Sequence, residues 1–282
     1  MNVQKRSKLK KLEEVVPEGL LISAACLTER GYSSSLRSQY VDAGWLSQPA
    51  RGVFWRPRGD LRWELVVISL QNIMQIPLVV GGRTALELQG FAHFLSQEPR
   101  EVHLYGEETL PGWMNKLPIR QKFILHRSRR LFLNDPITRA LSNLSLNVKS
   151  HVLKNTDPIH GPSFSVMPWG QWDWPLLVST PERAIFELLD ELPAKESFHM
   201  VDKLFEGLVS LSPNRLSKLL ADCRSIKVKR LFFFFADRHN PAWRKRLNSE
   251  EFDLGSGDRM LVKGGRLDPT YRITVPEDLD AV

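Results

Sequence analysis

The spacing of apolar positions changes several times along the chain, and each change marks an element. Over residues 4–16, Leu9, Leu12 and Val16 recur at helical spacing, while Lys5, Arg6, Lys8, Lys10 and Lys11 fill the other face. Pro17 and Gly19 break that helix. Ser23 suits the cap of a second helix over 24–30, with Cys26 and Leu27 facing inward, and Gly31 suits the left-handed position that ends it. A third helix is predicted over 34–43, with Ser33 as its cap and Gly44 closing it. Leu36, Tyr40 and Ala43 form its inner face; Ser34, Ser35, Arg37, Ser38 and Val41 point away. Two strand-like runs follow, 45–49 and 53–56, joined through Ala50, Arg51 and Gly52, where glycine fits a positive-φ turn.

Helix, tight turn, helix and hairpin in that order predict a winged helix-turn-helix, a module that reads DNA. The outward face of the third helix is small, polar and basic, as entry into the major groove requires. Ser33, Ser34, Ser35 and Ser38 can take phosphate or base contacts without blocking approach, and Arg37 can pair with both acceptors on guanine. Arg51 at the hairpin tip, with Arg56 and Arg58 behind it, can reach a phosphate or the minor groove. An exposed helix or a core hairpin without a DNA role would give the same local patterns. Their succession favours DNA.

From 61 to 76 the pattern is again helical, with Leu61, Leu65, Ile68 and Ile76 approximately on one face, and Pro77 stops it. This places a seam between an N-terminal domain, 1–76, and a second domain, 77–282. The second opens on a buried-looking strand, 78–80, then Gly81 and Gly82 and a helix over 84–88. That glycine pair lacks the spacing of a P-loop or a dinucleotide fingerprint and reads as a strand-to-helix turn. Further strands are expected over 101–105, 122–126 and 164–167, and the stretch 139–174 is the least legible. From Ser179 the chain turns helical, with stripes at Ile185, Leu188, Leu189 and Leu192, then at Phe198, Val201, Leu204, Phe205 and Leu208, then at Leu216, Leu219, Leu220 and Cys223. Four consecutive phenylalanines, 232–235, favour a strand by propensity, but Val228, Leu231, Phe232, Phe235 and Ala236 fit a helix, which is the prediction made here. A further helix over 241–247 carries Arg244, Lys245 and Arg246 outward, and a glycine-rich tail ends the chain. The fold class expected is α/β (α+β): a winged helix-turn-helix followed by a larger mixed α/β domain with a helical C-terminal part.

Composition adds a direction. The 282-residue chain carries a formal charge of +7 and a pI near 9.5. Residues 1–76 hold eleven Lys/Arg against seven Asp/Glu, so more than half the excess lies in the DNA-reading quarter. His126, Arg127, Arg129 and Arg130 make a second basic knot, read as a solvated strand end. Cys26 and Cys223 sit in helical patterns, outside any metal-binding spacing, and read as reduced buried thiols that suit the cytoplasm. The basic N-terminus has no apolar stretch after it, so neither a secretory signal nor a membrane span is expected. The seven histidines, His93, His103, His126, His151, His160, His199 and His239, form no HExxH or HxH motif, and there is no GxSxG elbow. Asp253, Asp258 and Asp268 do not match an EF-hand loop. Neither a cofactor nor a metal is therefore expected. The alternative to a DNA-binding regulator is a winged helix fused to a metal-dependent nuclease or other nucleic-acid-modifying domain, built on Asp173, Glu182, Glu187 and Asp190. No carboxylate–x–lysine strand motif supports it, and Glu182, Glu187 and Asp190 are expected on the polar face of a helix.

Several segments together resemble the AbiEi-type antitoxins of bacterial type IV toxin–antitoxin systems. They are AGWLSQPARGVFW, VVGGRTALELQGF, STPERAIFELLDELP, RLFFFFADRHNPAWRKRL and the tail DLGSGDRMLVKGGRLDPTYRITVP, the most specific of the set. The resemblance implies an N-terminal winged helix that represses the protein's own operon by binding inverted repeats in its promoter. It implies a C-terminal domain that counteracts a nucleotidyltransferase-like toxin, with or without direct contact, in abortive-infection defence against phage. It implies no enzymatic activity. Whether two copies meet on the DNA or beforehand is left open.

Overall fold

The computed structural model describes residues 3–91, 99–134, 137 and 163–280, with side chains from residue 9 onward. The side chains of Lys5, Arg6 and Lys8, together with His93, His151, His160 and most of the stretch 139–174, lie outside the described residues.

Helix α1 (Val3–Val15) leads into strand β1 (Leu21–Ser23), helices α2 (Ala24–Glu29) and α3 (Ser34–Asp42), and the hairpin β2 (Ser47–Ala50) and β3 (Val53–Trp55). Serine hydroxyls begin both short helices: Ser23 Oγ accepts from Cys26 N at 3.1 Å and Ser33 Oγ from Leu36 N at 3.3 Å. The hairpin turns on Arg51 and Gly52, because Ala50 pairs with Val53, and Gly52 takes a φ of +89°. Strand β1 was not foreseen. It pairs antiparallel with β3, giving a sheet in the order β1-β3-β2 that binds the wing to the start of α2. The result is a winged helix-turn-helix.

Helix α4 (Trp63–Asn72) is buried along Trp63, Glu64 and the run from Val66 to Gln71. The single apolar stripe expected of it is therefore too narrow. One side faces the wing: Ser69 Oγ accepts from Leu21 N at 2.8 Å. The other faces a second, larger sheet, where Gln71 Nε2 donates to Leu78 O at 3.1 Å and Leu177 O at 3.0 Å while its Oε1 accepts from Leu177 N at 2.9 Å. A helix covered on two sides needs apolar residues round most of its circumference.

The larger sheet comprises β4 (Leu78–Val80), β5 (Glu101–Gly106), β6 (Lys122–His126), β7 (Phe164–Trp169) and β8 (Trp174–Ser179), in the order β6-β5-β4-β8-β7. The β5–β6 and β4–β8 pairs are parallel and the β4–β5 and β7–β8 pairs antiparallel. Side chains alternate between faces. Leu78, Val80, Val102, Leu104, Leu176 and Val178 join a core shared with α4 and the wing, while Val79, Tyr105 and Leu177 face the other way with Phe164. Strand β8 was missed from the sequence; it is buried throughout and so lacks the alternation that marks a half-exposed strand.

On the second face lie α5 (Gly82–Leu88) and α6 (Pro181–Asp190), followed by α7 (Phe198–Gly207), α8 (Pro213–Asp222) and α9 (Ile226–His239). The phenylalanine run is helical, as its spacing predicts, and α9 is buried from Val228 to Ala236. Arg230 in its middle donates to the carbonyls of Leu254, Gly257 and Arg272 at 2.6, 2.7 and 3.2 Å, which ties the glycine-rich tail and its hairpin β9 (Arg266–Asp268) and β10 (Ile273–Val275) to the helices. The three tail aspartates serve the turns: Asp253 accepts from Gly255 N, Asp268 from Tyr271 N, and Asp258 pairs with Arg272.

Candidate nucleic-acid interface

Helix α3 projects from the compact unit formed by α2 and the wing. Tyr40 is buried on its inner side beside Tyr32, and Leu36 and Val41 are half-buried against the same core. Two expectations change here: Ala43 is exposed, and Val41 packs inward. The outer face carries Ser34, Ser35 and Ser38, all exposed, with Ser33 at the cap. Ser33 and Ser35 hydroxyls lie 3.1 Å apart. Gln39, one turn beyond Ser35 and equally exposed, belongs to this face and was not singled out, although the helical period places it there.

The four arginines separate into two kinds. Arg51, at the exposed hairpin tip, has no salt bridge among the described residues. Arg37 was expected to point away from the protein; instead its Nη1 donates to Ala24 O at 3.1 Å, Thr28 Oγ1 at 2.6 Å and Tyr32 O at 2.9 Å. Its guanidinium sits 5.6 Å from the Phe54 ring centre. It clamps the two helices of the reading unit and fixes the angle at which α3 is presented. Arg56 bonds Glu13 and Glu18 at 3.2 and 3.1 Å, and Arg58 bonds Glu18 at 2.6 Å while lying over Trp172. These two brace the wing against α1 and the larger sheet. The exposed face therefore comprises Ser34, Ser35, Ser38, Gln39 and Arg51, with exposed Trp45 at the foot of the wing.

In the remainder of the chain, three enclosed polar side chains stand where the sequence suggested solvated ones. Glu182 and Glu187 do not form an exposed helix face, because α6 is enclosed by the sheet on one side and the helices on the other. Glu182 accepts from Ser212 N at 2.8 Å, and Glu187 accepts from Gly82 N, Ser179 Oγ and Arg183 Nε at 2.8, 3.1 and 2.7 Å. Nor is His126 a solvated strand end. Its Nδ1 lies 3.1 Å from Glu191 and its Nε2 2.9 Å from His103 Nδ1.

Burial, helped by the neighbouring His126, pushes His103 down to about 4. Burial pushes Glu191 up, but the hydrogen bonds and charges of His126 and Lys195 outweigh it and hold its carboxyl at about 2. Both groups bind protons less readily folded than unfolded. The His103 contribution is complete above its ordinary value of 6.5 and is lost as pH falls towards about 4; that of Glu191 is complete above 4.5 and is lost towards about 2. Between pH 7.5 and 4.5 the chain should lose about 2–3 kcal/mol of unfolding free energy through His103. Urea unfolding at the two pH values measures this, and His103→Gln should show a visibly flatter dependence. Equal slopes for the two proteins would remove His103 as the cause.

Two family models cover almost the whole chain. Residues 5–97 match the N-terminal domain of the AbiEi antitoxin transcriptional regulators, and residues 99–276 match the model described as transcriptional regulator, AbiEi antitoxin, type IV TA system. No curated protein matches the chain. Among solved structures it is similar in fold to the RV2827C protein from Mycobacterium tuberculosis, at 15% identity and a TM-score of 0.55, over 90% of this chain and 85% of that one. Among the described residues no helix is long and apolar enough to cross a membrane.

Proposed function

Because the chain belongs to the AbiEi antitoxin family of transcriptional regulators from type IV toxin–antitoxin systems, we propose that it represses its own operon by placing α3 in the major groove of inverted repeats in the promoter, and that it counteracts a nucleotidyltransferase-like toxin. The observation that carries the DNA reading is the open face of α3 beside the Arg51 tip. Its hydroxyls offer short donors and acceptors, its cap presents backbone N–H groups, and the wing tip carries an exposed arginine with no salt bridge among the described residues. Arg37, Arg56 and Arg58 act from behind by holding the helix and wing in place. The proposed division of labour puts DNA reading in residues 1–76 and antitoxic action in residues 77–282. Neither a metal nor a cofactor enters this reading, and its setting is the cytoplasm.

The test is a gel shift with the duplex upstream of the gene. Ser38→Glu brings a negative charge into the groove and should weaken binding about 100-fold. Arg51→Ala should weaken it less and flatten the slope of log K against log salt by about 0.9. Wild-type affinity in Ser38→Glu would sink the assigned face. Co-expression with the neighbouring toxin then tests the second half: growth should be rescued equally by the wild type and by Ser38→Glu.

A further inference from the structure

A cleft of about 760 Å³ opens on the α5 side of the larger sheet, between the ends of β5 and β6 and the turn that follows α6. Five cations line it: Arg83, Arg100, Arg120, Lys122 and Lys195. Two of them are already engaged, Arg83 with Glu87 and Glu196, and Lys195 with Glu191. Arg100, Arg120 and Lys122 have no salt bridge among the described residues, and only Glu101 faces them as an uncommitted carboxylate. The cleft is therefore electropositive, and its size is that of a small-molecule site.

His103 forms part of its wall, and the hydrogen-bonded chain behind that ring fixes its orientation. Glu191 is ionised and only accepts, so the His126 Nδ1 facing it carries the hydrogen. The other His126 nitrogen, Nε2, lies 2.9 Å from His103 Nδ1, so this contact occupies the inner nitrogen of His103. His103 Nε2 has no hydrogen-bond partner among the described residues. The Tyr105 ring stacks on His126 at 4.6 Å and holds the relay in plane. A basic wall and an unpartnered imidazole nitrogen together call for a ligand with an anionic end and a hydrogen-bonding group.

We propose that this cleft binds a nucleotide, with its phosphates against Arg100, Arg120 and Lys122 and a hydroxyl or amino group hydrogen-bonded to His103 Nε2. The site is separate from the DNA face, and the proposal stands whether or not α3 reads an operator. Isothermal titration of the full chain at low salt, with inorganic tripolyphosphate and with each of the four common nucleoside triphosphates, tests it. At least one nucleoside triphosphate should bind more tightly than tripolyphosphate. Arg120→Ala with Lys122→Ala, both on exposed positions, should weaken both probes by about tenfold or more. His103→Gln should abolish the advantage of the nucleotide and leave tripolyphosphate binding unchanged. Undiminished affinity in the double variant, or no binding of any probe, overturns the site; so does competition by a short DNA duplex at equal phosphate concentration, which would make the cleft part of a nucleic-acid surface. Were His103→Gln to unfold, the double variant and the comparison of the probes on the wild type still decide.

Discussion

Arg183→Ala should lower the unfolding free energy of this chain by about 3–5 kcal/mol, the cost of leaving a buried charge without its partner. The side chain is 1% exposed and its Glu187 partner 0%. Arg183 Nε donates to Glu187 at 2.7 Å and Nη2 to Ser128 Oγ at 2.6 Å, and the guanidinium lies between the rings of Phe132 and Phe164, 4.3 and 4.6 Å from their centres. Burial already pushes the Glu187 carboxyl above its ordinary range, against the pull of Arg183, Gly82 N and Ser179. Without the arginine, Glu187 must take up a proton or draw in water, and two aromatic rings face a void. Urea unfolding of the full chain reads the loss. Arg183→Met combined with Glu187→Leu, which removes both charges and restores volume, should cost less than the single change. A loss below about 1 kcal/mol for Arg183→Ala would show that water reaches the pair.

Gly81→Ala strikes the same network from the opposite side. The backbone of Gly81 is extended, a conformation open to any residue, so the demand for glycine is steric. An added Cβ would overlap Glu187 Oε2 and the Tyr105 ring, both buried. Neither can withdraw: Glu187 is held by three donors, and Tyr105 donates to Glu187 O at 3.3 Å. The expected loss is about 3 kcal/mol, at the upper end for overpacking, seen as a lower urea midpoint with an unchanged slope. Gly90→Ala makes a useful contrast, since nothing among the described residues lies within 4 Å of that position and its positive φ is what strains the change.

This network also shows what the sequence could convey. The strand-to-helix turn at Gly81 and Gly82 was legible because glycine pairs mark turns locally. The helices were legible for the same reason: caps at Ser23 and Ser33 and the spacing through the phenylalanine run are local signals. Strand β8 was not, since a short apolar run enclosed on both faces has no period of its own. Buried charge was hidden altogether. Glu182 and Glu187 look like a solvated face until the sheet and α9 close over them. On the outer face of α3, the serines could be placed from helical period alone. The arginines could not, because Glu13, Glu18, Ala24 O and Thr28 decide where three of them go, and none is near its arginine in sequence.

Helix α4 has a further meaning for how such a protein can be altered. Gln71 completes the backbone pairing of β4 and β8, and Asn72 donates to Pro175 O at 2.9 Å, so the reading head ends in a part that the larger sheet requires. The head is consequently not an exchangeable cassette. A foreign winged helix joined at Pro77 would bring a fourth helix with the wrong amide at that depth. It would leave the carbonyls of Leu78 and Leu177 orphaned in an apolar layer. On the proposed DNA reading, operator specificity can be changed on the outer face of α3 without that penalty, and new specificities are expected to arise there, by substitution and not by shuffling of whole domains.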